Sequence, residues 1–206
     1  MRLFSTALFG AACLLITGCK KSEPFELIQP MATPAASAEL PKYWSIPEFT
    51  LTERSGQPLR SSDLAGKVWV ADFFYTSCPG PCPALTSRFS DVQNALGNAS
   101  GVRLVSISVD PGKDTPDVLK VYADRFKAGP NWFFCTGEKE AIIKLAHDGF
   151  KLPVAEGGSP EAGPITHTTR LVLVDKTGTA RGFYEGTTEE GVRDIVRDIH
   201  RLLEEK

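Results

Sequence analysis

The sequence lacks an excess of charge of either sign: 23 lysines and arginines stand against 25 aspartates and glutamates in 206 residues. A nucleic-acid binder carries a basic surplus, so the balance argues against that class. It also lacks a comfortable membrane span near its start. The apolar stretch Leu8 to Thr17 is well short of the roughly 20 residues that a crossing helix needs. Ligand-type side chains are scarce as well, with three histidines and five cysteines. So small a stock leaves few ways to build a site.

What is present begins with a targeting segment. Arg2 supplies positive charge ahead of the apolar core. Ile16-Thr17-Gly18-Cys19 resembles a bacterial lipobox, with cleavage before Cys19 and lipid on its sulfur. The alternative is an uncleaved N-terminal anchor. Either way the body of the chain is expected outside the cytoplasm, facing the periplasm or an equivalent space. Residues 1–18 are then a lipoprotein signal peptide and 19–42 a lipidated tether. Lys20 to Pro41 is rich in Pro, Ala, Ser and Thr and has little to bury. As a random coil it spans roughly 25 Å. Residues 43–206 are enough for one domain. With Cys13 removed and Cys19 acylated, Cys78, Cys82 and Cys135 remain. Three thiols do not make a disulfide scaffold. They read as one working pair and one spare, in a compartment where thiols must be kept reduced.

The working pair lies in Thr76 to Pro83, TSCPGPCP. Before it, Val68 to Tyr75 is short, β-branched and aromatic, a buried strand. After it, Leu85, Phe89, Val92 and Leu96 fall at helical spacing. Pro79, Pro81 and Pro83 push the residues before them out of the α region. Pro83 suits the first helical position, which makes Cys82 the expected N-cap. A helix N-terminus favours thiolate over thiol, so an exposed, reactive pair is expected. The bland alternative is two small cysteines packed under a turn.

Elsewhere, Phe49-Thr50-Leu51-Thr52 and a piece near Leu59 read as an N-terminal β-hairpin. Val102 to Val109 is a second buried strand, and Thr115 with Pro116 opens a helix to about Phe126. Trp132 to Cys135 is extended, and Glu138 to His147 is a helix stopped by Gly149. Lys151 to Pro164 is a long loop of the kind that carries function. Leu171 to Val174 and Ala180 to Tyr184 form a hairpin, and Gly191 to Leu203 a closing helix. This order predicts an α/β fold of thioredoxin-like type, with a mixed central sheet flanked by helices. In such a fold the strand starting near Arg170 runs antiparallel to the cysteine strand. That brings His167 towards Cys78 and Cys82.

Two thiolates and an imidazole are a soft, low-coordination set that selects Cu(I) over harder ions. A closed structural zinc site usually takes four ligands. His147 and His200, near helix C-termini, read as structural or surface residues. The pair is spaced Cys-x-x-x-Cys, one residue wider than the Cys-x-x-Cys of thioredoxin-type oxidoreductases, and a disulfide stays open to it if the Cα atoms come within about 6–7 Å.

The pieces YTSCPGPCP, SISVDPGKDTP, NWFFCTG and ITHTTRLVLVD, in that order from Tyr43 onward, resemble the Sco/SenC family of copper-handling proteins. The resemblance implies copper, as Cu(I) or Cu(II), on Cys78, Cys82 and His167. It also implies a copper-bearing subunit of cytochrome c oxidase as partner, with thiol reductants upstream. Asp110 is either a neighbour of that site or a cap for its own turn. Two departures stand out. Gly80-Pro81 occupies a place where the family commonly has an acidic residue, and loss of that charge favours thiolate. Cys135, beside Phe133 and Phe134, is outside the family pattern and reads as an inert core thiol.

Three functions compete: a membrane-tethered metallochaperone delivering Cu(I), a thiol–disulfide reductase that keeps copper-acceptor cysteines reduced, and a peroxidase. The first needs His167. The second does not. The third lacks a cation near Cys78 in sequence.

Overall fold

The computed structural model describes residues 39–97, 99–157, 165–166 and 168–205. Cys19, the signal segment, His167 and most of the tether lie outside the described residues.

The strands are β1 (Thr50–Glu53), β2 (Pro58–Arg60), β3 (Val68–Phe74), β4 (Val102–Ser108), β5 (Trp132–Thr136), β6 (Ala155–Glu156), β7 (Ile165–Thr166), β8 (Arg170–Val174) and β9 (Ala180–Glu185). The helices are α1 (Cys82–Leu96), α2 (Pro116–Arg125), α3 (Lys139–Lys144) and α4 (Glu189–Glu204). Seven strands form one sheet in the order β2-β1-β5-β4-β3-β8-β9, and β6 pairs with β7 in a separate ribbon. β3, β4 and β5 are parallel to one another. β8 runs antiparallel to β3, with Ala71 opposite Val172. The sheet is therefore mixed and thioredoxin-like, and the start of β8 lies beside the end of the cysteine strand, as the sequence predicts.

Every residue of β3 is buried, which explains its unbroken apolar run. Its side chains alternate between two cores. On one face Phe74 stacks on Tyr122 of α2 with centroids 5.3 Å apart and meets Phe134 edge-on at 5.7 Å. On the other, Trp69 and Phe73 pack edge-on against Phe150, at 5.9 and 5.2 Å. Burying one such ring contributes about 1.5–3 kcal/mol.

Local signals set the helix ends. Thr115 caps α2 by accepting from the Val118 N–H, with Pro116 at the first position. Thr188 caps α4 by accepting from the Gly191 N–H at 3.1 Å. α3 is shorter than the periodicity suggests. It widens after Lys144 into a looser turn, Leu145–Gly149, whose last carbonyl accepts the Trp44 indole N–H at 2.7 Å. The long loop is also not wholly irregular: its Ala155–Glu156 forms half of the small ribbon.

The domain takes in residues that composition assigned to the tether. Leu40 is buried, and the carbonyls of Leu40 and Pro41 accept from Arg181 at 2.8 and 2.9 Å. Arg181 is itself buried and paired with Asp175 and Glu205, at 3.0 and 2.8 Å. Among the described residues no helix is long and apolar enough to cross a membrane.

Candidate metal and thiol site

The thiol turn begins where β3 runs out. Tyr75 is still fully buried, and the Cys78 N–H turns back onto its carbonyl at 3.3 Å. α1 begins at Cys82, with Pro81 as its N-cap residue in helical backbone geometry. Cys82 is thus the first helical residue and not the cap, one position earlier than the proline pattern indicates. Pro83 then occupies the second position, where its missing N–H still costs no intrahelical bond. Thr86, one turn on, donates to the Cys82 carbonyl at 2.9 Å and shares a hydrogen bond with the Tyr122 hydroxyl at 3.0 Å.

The thiols are not exposed. Cys78 is 7% accessible and Cys82 is 0%. Neither is in a disulfide, nor is Cys135. Burial pushes the Cys82 thiol well up, reinforced by its hydrogen bond with Cys78, and the Tyr75 N–H aimed at its sulfur offsets only part of this. Burial thus opposes the ready thiolate that its place at a helix end leads one to expect at Cys82. The two sulfurs nevertheless converge, which both a metal site and a disulfide require.

The Tyr75 phenol joins this cluster. It hydrogen-bonds the Cys78 thiol, and its oxygen accepts the backbone N–H of Ile165 in β7. Burial, then Cys78, pushes the phenol up to about 12. Tyr75 thus connects the thiol turn to the short ribbon two residues before His167.

Beneath Cys82 lies a buried acid that the sequence reading passed over. Asp72 Oδ1 accepts from Ser106 Oγ at 2.6 Å, and Ser106 Oγ accepts the Trp132 indole N–H at 2.9 Å. Among the described residues no group hydrogen-bonds Oδ2. Burial raises the Asp72 pKa to about 7, and its charge adds to the upward push on Cys82. The available signal was an aspartate in the middle of a fully buried strand.

Asp110 serves its own turn. Its carboxylate pairs with Lys113 at 3.2 Å, and its carbonyl accepts the N–H groups of Lys113 and Asp114. The acid that reaches the thiol turn is Asp114, which is fully buried. It accepts from the Thr76 N–H at 3.0 Å, the Thr76 hydroxyl at 2.5 Å and the Ser108 hydroxyl at 2.5 Å.

Cys135 sits in β5, its thiol pushed up by burial and then by Glu53. The His147 ring bonds the Val154 carbonyl at 3.0 Å, and His200 is exposed on α4. Among the described residues no three His, Cys, Asp or Glu side chains cluster as a metal site, and the third ligand expected from sequence, His167, falls outside them. A cavity of about 580 Å³ lies at the opposite end of the sheet between Phe49, Arg60, Trp69 and Lys176, away from the thiols.

Comparison with known proteins follows the same lines. Residues 37–204 match the family model SCO1/SenC. A SCO1/SenC family lipoprotein from Bacillus anthracis str. Ames is 36% identical in sequence. It superposes with a TM-score of 0.72, covering 78% of this chain and 96% of that one. BsSco, described with a disulfide switch and as a member of the Sco family of cytochrome c oxidase assembly proteins, is 30% identical. Its TM-score is 0.71, covering 82% of this chain and 98% of that one. Bradyrhizobium japonicum ScoI with copper bound is 27% identical, with a TM-score of 0.65 over 77% of this chain and 99% of that one.

Proposed function

Because the chain belongs to the SCO1/SenC family, we propose that it binds copper at the thiol turn and delivers it as Cu(I) to the copper centre of cytochrome c oxidase. The observation that carries this reading is the convergence of the Cys78 and Cys82 thiols in one buried turn, in hydrogen-bond contact with each other. Two soft sulfurs at one point suit Cu(I). Burial holds the Cys82 thiol protonated, so it gives up its proton when the cation arrives. His167 is the third donor. Its support is the hydrogen bond from Ile165, two residues earlier, to Tyr75 beside Cys78, together with the antiparallel pairing of β8 on β3. Relatives supply the cargo and the destination: ScoI carries copper and BsSco belongs to a family of oxidase assembly proteins.

The chain is tethered to the outer face of a membrane through lipid on Cys19. The Bacillus anthracis relative is a lipoprotein. Leu40 and Pro41 are pinned by Arg181 beside Asp175, at the end of the sheet where β3 starts. That leaves the thiol turn, beyond the other end of β3, clear of the point of attachment.

The contact between the thiols favours a second reading, a thiol–disulfide reductase for copper-acceptor cysteines. A thiolate of the pair attacks one sulfur of the target disulfide and expels the other. The second thiol, once deprotonated, displaces the target from the mixed disulfide. Two electrons and two protons pass to the target, and the pair is left as a disulfide for a dithiol reductant to reopen.

The test is titration of reduced protein with Cu(I) against a chromophoric chelator. One Cu(I) per chain is expected, lost in Cys78→Ser and in Cys82→Ser. Unchanged stoichiometry in either variant contradicts the copper reading.

A further inference from the structure

The two ends of the thiol turn are held by one segment, residues 110–122, which contributes no sulfur or imidazole. At the Cys82 end, Tyr122 grips through Thr86, whose hydroxyl donates to the Cys82 carbonyl. At the Cys78 end, Asp114 grips Thr76 twice, taking its N–H at 3.0 Å and its hydroxyl at 2.5 Å. The carboxylate is anchored from behind by the Ser108 hydroxyl at 2.5 Å at the end of β4, and its own N–H binds the Asp110 carbonyl at 2.9 Å. Asp114 is 0% exposed. A carboxylate buried this deeply is costly unless its lone pairs are filled, and here three donors fill them. Two of the three belong to one residue of the thiol turn. An arrangement needed only to close the turn after β4 would not reach across to the end of β3.

We infer that Asp114 is a positioning residue for the thiol pair: by fixing Thr76 it sets where the Cys78 sulfur stands relative to Cys82, whose end is fixed separately through Thr86 and Tyr122. The inference deepens the copper reading and rests on it for its purpose, but the positioning itself concerns the dithiol. It therefore applies to both chemistries of the pair. A turn held at both ends keeps the sulfurs at one separation. Freeing one end changes how readily they close into a disulfide and how well they share one ion, since both need defined sulfur placement.

The test uses the full chain with Thr76→Val, Thr76→Ser and Asp114→Asn. Three quantities are measured: urea stability, the reduction potential of the Cys78–Cys82 pair against a dithiol buffer, and Cu(I) affinity by chelator competition. Thr76→Ser keeps both bonds to Asp114 and should match wild type within about twofold in both equilibria. Thr76→Val loses one charge-assisted hydrogen bond, which is worth about 1.4 kcal/mol or more, a factor of about ten. It should move the dithiol–disulfide equilibrium about tenfold, or about 30 mV for a two-electron couple. Cu(I) affinity should fall by a similar factor in protein that remains folded. Asp114→Asn should move both in the same direction. If it fails to fold, Thr76→Val decides the matter alone, because it keeps the backbone bond. Loss of stability with the potential and the copper affinity both within twofold of wild type overturns the inference and leaves Asp114 a fold residue only. If wild-type protein holds no Cu(I) while the potentials shift as described, the copper reading fails and the positioning role stands.

Discussion

The phenol of Tyr75 hydrogen-bonds the thiol of Cys78, and on its other side accepts the backbone N–H of Ile165. One hydroxyl therefore joins the thiol turn to the ribbon that precedes His167. Tyr75→Phe keeps the ring in its buried place and deletes only that link. The Ile165 N–H then loses an acceptor, at a cost of about 1–3 kcal/mol, felt locally. Amide hydrogen exchange at Ile165 should accelerate about tenfold or more, with exchange in the middle of α1 unchanged.

Asp72 gives a pH signature to stability. Its pKa is about 7 folded against an ordinary 3.8. Below about pH 4 both states carry the proton. Between about pH 4 and 7 the unfolded chain releases it and the folded chain retains it, so stability falls as pH rises. The full penalty is about 4 kcal/mol. Asp72→Asn imitates the protonated acid and should flatten the pH profile of the urea midpoint in this window, leaving the variant the more stable protein at pH 8. The same change removes a charge that holds the Cys82 pKa up.

Arg181 is a buried cation answered by Asp175 and Glu205. Arg181→Met leaves Asp175 without its buried partner and strips donors from the Leu40 and Pro41 carbonyls. Breaking a buried pair from one side costs about 3–5 kcal/mol. Urea denaturation should show a loss of that size, with limited proteolysis newly cutting the chain near residues 39–43.

Cys135 separates the spare thiol from the working pair. Cys135→Ser places a hydroxyl among buried strands and should lower stability by about 1–3 kcal/mol. Cu(I) stoichiometry and the potential of the pair should be unchanged.

The fold was largely legible because its signals are local. The unbroken apolar run of β3, the Thr115-Pro116 start of α2 and the spacing of the closing helix each report one buried face or one cap, and each element lies where it was expected. The site was legible in its cysteines and illegible in its surroundings. Proline spacing could suggest a helix start beside Cys82, but not that the turn folds inward. Hence a thiol expected to ionise readily is held protonated by desolvation. Of the two roles open to Asp110 the structure shows the cap of its own turn, and the contact made by Asp114 was missed for a similar reason. Asp110 and Asp114 lie in one short motif, and which of them bonds Thr76 depends on how the turn after β4 is threaded, a tertiary fact. Asp72 was hidden inside an apolar run, where an acid is a sign of a special environment and not of solvent.

The most direct measurement is the Cu(I) affinity of fully reduced wild-type protein against His167→Ala, by chelator competition at one pH. A site built from Cys78, Cys82 and His167 loses one of three donors, and the expected weakening is about 10–100-fold with one ion still bound per chain. Equal affinity in the two proteins would contradict the three-donor site and leave the thiol pair as a reductant.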